Sequence, residues 1–281
     1  MGEPKIVSFH SFKGGTGRSV GLANIAYALA KSGSNVGCID CDIEAPAFKV
    51  VFDIQPSASD RRYMDFYDLF LKDIERSRKV LEVFNAGIAM GLSGGNLYVI
   101  PGYLGPGWAE WRDETVEMLN RLRQRGDEEI KGEILETFRD FYREFELDYI
   151  FLDLRAGLSE EIAGPFIAAS DIIVNFLRAD KQSLHHAPTV MEFHATNYNN
   201  RQIAIVNSVP PGDVARARIE QLKSEINRLL LDIQVFELPY TPSLAVDERI
   251  IDSPGEGERE ILEIYEKIAD HIKNLYKGDE K

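Results

Sequence analysis

Cysteine, tryptophan and long apolar runs are scarce in this sequence of 281 residues, which has two cysteines and two tryptophans. With only Cys38 and Cys41, a four-thiolate zinc site or an iron–sulfur cluster would need a second subunit. No apolar run approaches the roughly 18 residues that a membrane-spanning helix needs. No signal peptide precedes the strand-like segment that begins at Lys5. The sequence therefore predicts a cytoplasmic protein.

The sequence also has fewer basic than acidic residues. Lysine and arginine total 32 against 46 acidic residues, and the formal net charge is −14. This balance argues against a protein coated by nucleic acid or anionic lipid, so DNA binding is not favoured and membrane binding is not expected. Two arginine clusters are candidates for a DNA patch, with solvated helix faces as the alternative: Arg121, Arg123, Arg125 and Arg216, Arg218.

The two cysteines form a C-x-x-C pair, a spacing that also occurs in zinc and redox sites. Here the pair falls in the segment SNVGCIDCDIE, residues 34–44, which reads as a buried strand. Residues three apart on a strand point to opposite faces, so the two sulfur atoms should diverge. We predict that both cysteines are structural.

Short apolar runs alternate with amphipathic segments along the whole chain. Strands that are apolar on consecutive positions are typical of a parallel sheet covered on both faces. The pattern predicts a single α/β domain over residues 1–281, with a mostly parallel twisted sheet of about seven or eight strands. Helical elaborations are expected at about 57–95 and 106–145.

A glycine-rich turn, KGGTGRS at residues 13–19, connects the first predicted strand to the first predicted helix. Glycines let successive backbone N–H groups converge on an anion, and the following helix adds its positive N-terminal dipole. The Ser19 hydroxyl lies where a Mg²⁺ ligand belongs. The pattern G-x-x-x-x-G-K-[ST] is not met, because Phe12 replaces its first glycine and Arg18 its lysine.

The turn closely resembles the loop K-G-G-x-G-[KR]-[ST] of the ParA/MinD family of P-loop ATPases. The resemblance implies a single P-loop NTPase domain that binds ATP. It also implies that Lys13 reaches across a nucleotide-sandwiched homodimer to the partner's phosphates, while Arg18 serves the nucleotide of its own subunit. The loop residues implied to bind ATP are Lys13, Gly14, Gly15, Thr16, Gly17, Arg18, Ser19 and Val20.

Two further segments resemble the family's metal-binding and switch regions. In CIDCDIEAP, Asp42 matches the switch I aspartate that orients the attacking water and helps to organise Mg²⁺. In LDYIFLDLRAG, Asp153 matches the Walker B aspartate, and Gly157 belongs to switch II, where a backbone N–H can sense the γ-phosphate. The implied Mg²⁺ residues are Ser19, Asp42 and Asp153. Arg155 has two open interpretations, pairing with Asp153 or with a phosphate.

The adenine site is expected near the end of the chain. Asn207 resembles the asparagine that reads the adenine edge, and Pro239 lies in a segment like the loop that packs on the base. Guanine-specific relatives carry N-K-x-D here, whereas this sequence has NSVP from Asn207. The missing lysine and aspartate favour ATP over GTP.

The resemblance implies an ATP-hydrolysing molecular switch that dimerises around Mg²⁺–ATP and signals to a partner. Lys13, Asp42 and Arg18 are the implied catalytic residues. An unknown protein partner is expected to bind through 57–95 and 106–145. The alternative is an ATP-sensing binding or scaffold protein with little or no hydrolysis, because arginine replaces a phosphate-binding lysine at Arg18 and the two are not interchangeable.

The last helical pattern, residues 258–276, has an apolar stripe and a polar face of mixed charge. Some family members end in a basic, membrane-binding amphipathic helix. Anionic lipid would gain little from a face that carries five acidic groups such as Glu260 and Glu263. We predict that this segment is the last helix of the core.

Overall fold

A computed structural model describes residues 3–55, 63–70, 82–105, 107–124, 127–157, 160–198, 200–229 and 231–277. Parts of the predicted elaboration at 57–95 and Pro106 lie outside these ranges. So do Arg125 and the side chains of Trp108, Arg121 and Arg123, so the first arginine cluster has no structural description.

Eight strands form one sheet in the order β3-β4-β2-β5-β1-β6-β7-β8. All neighbours pair in parallel except β3, which is antiparallel to β4. The predicted mostly parallel sheet is confirmed, and the two-residue β3 is an edge that the sequence pattern did not indicate. The strands are β1 (Lys5–Ser11), β2 (Val36–Asp40), β3 (Phe84–Asn85), β4 (Leu97–Ile100), β5 (Tyr149–Asp153), β6 (Ile172–Arg178), β7 (Arg201–Val209) and β8 (Ile233–Pro239).

Helices cover both faces of the sheet. In the described part of the chain they are α1 (Arg18–Lys31), α2 (Phe48–Val51), α3 (Phe66–Phe70), α4 (Ala86–Ala89), α5 (Trp108–Gln124), α6 (Asp127–Glu144), α7 (Glu160–Ala168), α8 (Lys181–Asn197), α9 (Asp213–Arg228), α10 (Pro242–Val246) and α11 (Glu258–Lys277). Within 57–95 the described helices are short and are joined by β3, whereas 106–145 holds the two long helices α5 and α6.

Separate apolar cores lie on the two faces of the sheet because successive strand residues alternate in direction. Val7, Phe9 and Cys38 pack with α1 and α11 on one face. Ile6 and Cys41 pack with α6 and α7 on the other face. Both cysteines are free and buried, and burial raises the pKa of each thiol well above its ordinary value. Their predicted structural role is confirmed.

The C-terminal helix α11 is a core helix, as predicted. It packs against α1 and β8, and Ile261, Tyr265, Ile268 and Ile272 on its apolar face are buried. Within the described ranges, the helices are either too short or too polar to cross a bilayer.

Helix α5 begins within the glycine-rich segment 102–111, at Trp108. The indole of Trp111 donates a hydrogen bond to the carbonyl of Ile43, with an N–O distance of 3.0 Å. Its ring also stacks on Tyr103. Trp111 therefore anchors α5 to the loop that follows β2.

Candidate nucleotide-binding site

The glycine-rich turn lies between β1 and α1 and forms an open backbone cradle. Gly15 and Gly17 have positive φ angles of 67° and 79°, a region that glycine enters without a Cβ penalty. A Cβ atom at Gly14 or Gly15 would meet no atom within 4 Å. Since α1 begins at Arg18, its free N–H groups also point toward this space. The geometry is that of an anion-binding loop.

Arg18 does not point into the cradle but bridges two acids beneath it. Its Nη2 donates to Asp42 Oδ2 at 3.1 Å, and its Nε donates to Asp153 Oδ1. Ser11 Oγ accepts a longer bond of 3.4 Å from Nη1. Burial would lower the pKa of Arg18, but the charges of Asp153 and Asp42 outweigh burial and leave that pKa raised. The structure thus joins Arg18 to the two implied metal-binding acids.

Asp153 ends β5 and is fully buried. Burial raises its pKa, against the opposing effects of Arg18 and of a hydrogen bond from Ser19. Its Oδ2 atom has no hydrogen-bond partner among the described residues. Among all the residues that the structure describes, no cluster of three or more histidine, cysteine, aspartate or glutamate side chains is arranged to hold a metal ion. The oxygen atoms of Ser19, Asp42 and Asp153 fit a Mg²⁺ ion that takes its remaining ligands from phosphate and water.

Asp40 is a residue of this site that the sequence analysis missed. Its Oδ2 accepts hydrogen bonds from the N–H groups of Ala47 at 2.8 Å and Phe48 at 3.0 Å, and its Oδ1 accepts one from Asp42 N–H at 3.2 Å. Burial raises the pKa of Asp40 well above its ordinary value, and the charge of Asp153 adds to this effect. Asp40 therefore orders the loop that carries Asp42. The available signal was the aspartate two residues before Asp42 in the segment CIDCDIEAP.

Lys13 lies at the rim of the cradle beside the start of α8. Its Nζ donates to Gln182 Oε1 at 2.5 Å. Asp180 caps α8 by accepting from Ser183 N–H at 2.8 Å. Burial alone would raise the pKa of Asp180, but the bonds from Ser183 and the charge of Lys13 lower it. Lys13 is therefore held by a side chain of the same chain.

A cleft of about 550 Å³ continues from the cradle and is lined by Gly17, Val20, Asn207 and Pro239. It contains both residues predicted to contact the base. Asn207 Nδ2 donates to Thr16 O at 2.7 Å, and its Oδ1 accepts from Ser208 N–H at 2.8 Å. A Cβ atom at Gly17 would lie 2.2 Å from Asn207 Nδ2, which explains the glycine. Asn207 thus braces the loop as well as facing the cleft.

Several further cleft residues were not singled out from the sequence, among them Arg178, Tyr240 and Glu248. Arg178 ends β6 directly beside Asn207 of β7, and its Nη1 lies 3.5 Å from Gly15 O. A cation therefore stands between the cradle and the cleft. The strand registers would have been needed to find it, because Arg178 is remote in sequence from both Gly15 and Asn207.

Gly157, the predicted switch II glycine, has a φ angle of 99° and follows β5. Its N–H donates to Ser11 O at 2.9 Å, and its carbonyl accepts from His10 Nε2 at 2.7 Å. Arg155 pairs with Glu44 of the loop after β2 rather than with Asp153. This ion pair joins the two predicted switch segments.

Comparison with known families agrees with this geometry. Residues 7–259 match the profile of the CobQ/CobB/MinD/ParA nucleotide-binding domain. The chain belongs to this family. The ParA/MinD members of the family are ATPases, and homologues act in positioning and partitioning.

Individual relatives agree with the family assignment. The chain is 27% identical to the flagellum site-determining protein YlxH of Helicobacter pylori over 281 residues, covering 98% of this chain and 82% of that protein. It resembles the structure of septum site-determining protein MinD from Pyrococcus horikoshii complexed with Mg-ADP, with a TM-score of 0.67, 16% identity and 97% coverage of both chains. A plasmid partition protein from Borrelia burgdorferi bound to AMPPNP gives a TM-score of 0.65 at 17% identity, covering 99% of this chain and all of that one (100%).

This ParA/MinD-type domain should lose stability in mild acid because of two buried histidines. Burial lowers the pKa of His10 to about 4 and that of His194 to about 3, from 6.5 in the unfolded chain. The unfolded state then binds more protons, so the stabilisation present above pH 6.5 is lost as the pH falls toward 4. For His10 alone the loss is about 3 kcal/mol.

Calorimetric melting between pH 7.5 and 4.5 checks this prediction. The variant His194→Leu should show a flatter dependence of Tm on pH than the wild type, and the exposed His185→Ala should not. Identical slopes in all three proteins would contradict it.

Proposed function

We propose that this chain is an ATP-dependent molecular switch that dimerises around Mg²⁺–ATP and separates after slow hydrolysis. The observation that carries the proposal is the arrangement of one open backbone cradle with Lys13 at its rim and the Asp42–Arg18–Asp153 cluster at its base. One cation is free to face a second subunit once Gln182 releases it. We expect the terminal phosphate and the attacking water to meet beside these two acids.

In the proposed complex the triphosphate occupies the cradle of residues 14–17 and the base enters the cleft beside Pro239. Ser19, Asp42 and Asp153 would hold the Mg²⁺ ion, which when bound neutralises phosphate charge. Arg18 leaves at least one acid and turns toward the phosphates. Asp42 then orients a water molecule, whose oxygen bonds to the γ-phosphorus as the bond to the ADP oxygen breaks, and a proton of the water passes to the released phosphate.

A second candidate function is an ATP-sensing scaffold with little or no hydrolysis. The buried bridge from Arg18 to Asp42 and Asp153 favours it, because the same side chains are needed in other positions for catalysis. Arginine also fits a phosphate differently from lysine. In this case ATP binds and the protein changes partners, but phosphate is released only at the background rate.

Replacing Asp42 by alanine tests the proposal. The variant should accumulate as a dimer with Mg²⁺–ATP, since it binds nucleotide but no longer orients the water, and we expect its phosphate release to fall by about 100-fold or more. Light scattering gives the mass with ATP and with ADP, and a phosphate assay gives the rate. The control is Asp213→Ala, a fully exposed carboxylate in α9.

The outcomes separate the two candidates. A dimer with ATP and measurable phosphate release supports the switch. A dimer without release in the wild type supports the scaffold. If neither protein gains mass with ATP over ADP, the nucleotide sandwich is ruled out.

We infer that a protein partner docks on the helical elaborations at 57–95 and 106–145, whose described part includes α5 and α6. DNA is the less favoured partner. In the second arginine cluster, Arg216 already faces Asp213 at 3.9 Å. A gel shift with ATP at two salt concentrations tests DNA binding directly, because phosphate contacts weaken steeply with salt.

A further inference from the structure

His10 is a buried side chain near the end of β1 that none of the proposed catalytic steps uses. Its Nε2 lies 2.7 Å from the carbonyl oxygen of Gly157, and the residue is 1% exposed. A carbonyl oxygen only accepts hydrogen bonds, so Nε2 must carry the proton. Since burial lowers the pKa of His10 to about 4, the ring is neutral at physiological pH and Nδ1 is bare. The tautomer is therefore fixed by Gly157.

The hydrogen bond to the Gly157 carbonyl is the main polar contact of the His10 ring in the described part of the chain. His10 Nδ1 has no hydrogen-bond partner within the described chain. The ring of His194, from α8, lies edge-on with a centroid distance of 5.1 Å. His194 is buried to the same degree, at 1% exposure, and within the described part of the chain no hydrogen bond joins it to Gly157. The two rings are therefore neighbours, and His10 is the one that bonds to Gly157 in the described part of the chain.

Gly157 is held by both of its backbone polar groups. His10 fixes its carbonyl, and Ser11 O accepts from its N–H at 2.9 Å. Gly157 has a φ angle of 99°, which glycine adopts without a Cβ penalty, and a Cβ atom at this position would meet no atom within 4 Å. A rotation of the preceding peptide requires this backbone freedom. Because His10 holds the Gly157 carbonyl in place, such a rotation moves the peptide that carries the Gly157 N–H and leaves the following peptide where it is. That N–H can then exchange Ser11 O for a phosphate oxygen.

We propose that His10 is a positioning residue for switch II, which holds the Gly157 carbonyl so that the Gly157 N–H distinguishes ATP from ADP. This inference rests on the proposed function, because it takes the γ-phosphate as the group that Gly157 senses. Loss of the anchor leaves ADP binding intact, since ADP does not present that phosphate. Loss of the anchor lowers the affinity for ATP relative to ADP, because ATP binding must then also fix the position of the Gly157 N–H.

The test compares three variants. His10→Leu removes the donor, His10→Gln keeps an amide donor on a side chain of similar reach, and His194→Leu alters the same pocket without touching Gly157. Affinities for ADP and for a non-hydrolysable ATP analogue are measured by competition with a fluorescent nucleotide, at protein concentrations too low for dimerisation. We expect His10→Leu to lower the ATP-to-ADP affinity ratio about fivefold, as one lost hydrogen bond predicts. His10→Gln and His194→Leu should stay within about twofold of wild type.

Equal ratios in His10→Leu and His194→Leu, or no preference for the ATP analogue in the wild type, overturn the inference. If wild type binds neither nucleotide, the proposed function itself fails. If His10→Leu does not fold, long-range ¹H–¹⁵N spectra of the wild-type histidines decide. An Nε2–H tautomer of His10 whose ¹⁵N shift differs between the analogue and ADP supports the inference, whereas an Nδ1–H tautomer or an unchanged shift overturns it.

Discussion

Replacing Arg18 by alanine should lower the free energy of unfolding by about 3–5 kcal/mol, because it removes one partner of a buried charge network. Asp42 and Asp153 would be left close together without their shared cation, and both are buried. For a chain of this size such a loss corresponds to a fall in Tm of about 10 °C. Differential scanning calorimetry at pH 7 without nucleotide measures it.

The matched control is Arg155→Ala, which removes an arginine from the same edge of the sheet. Arg155 pairs with Glu44, and both side chains are partly exposed at 34% and 39%. Such a pair contributes at most about 1 kcal/mol. If the two variants melt at the same temperature, Arg18 is not the cation that stabilises the empty site.

Replacing Lys13 by alanine should abolish ATP-dependent dimerisation and reduce phosphate release by about 10³-fold, the effect of one correctly placed cation on phosphoryl transfer. The variant should still bind ADP as a monomer, because the backbone cradle and the cleft remain intact. Its Tm should change little, since Lys13 bonds to Gln182 at the surface. Light scattering, a phosphate assay and calorimetry give the three values.

Gln182→Ala is the control for Lys13. It removes the hydrogen bond that holds Lys13 within its own subunit but leaves the cation in place. We expect this variant to dimerise with ATP at least as well as the wild type. Retained ATP-dependent dimerisation in Lys13→Ala would show that the cation does not act across the subunit boundary.

The local parts of the site could be predicted from the sequence. The backbone conformation of the turn at residues 13–19 depends on the glycines within it. The strand before the turn and the helix after it follow from short-range sequence patterns. Asp42 follows the buried strand β2 and Asp153 ends the buried strand β5, so their place at the carboxyl edge of a parallel sheet could also be predicted. The short antiparallel strand β3 could not, because two residues carry no periodicity.

The side-chain partners could not be predicted in the same way. The sequence suggested that Arg18 faces a phosphate, and it left Arg155 between Asp153 and a phosphate. The structure instead pairs Arg18 with both acids and Arg155 with Glu44. It also joins His10 to Gly157, which is 147 positions away. Each pairing depends on which strands are neighbours.

The sequence by itself determined a phosphate-binding turn, a mostly parallel sheet and the acids at its edge, because these depend on neighbours along the chain. Only the tertiary structure decided where the cations point. The order β2-β5-β1 sets Asp40 directly beside Asp153 and brings Phe9 alongside them, so the acids meet beneath the turn. Carboxylates gathered away from water need a counter-charge, and Arg18 supplies it.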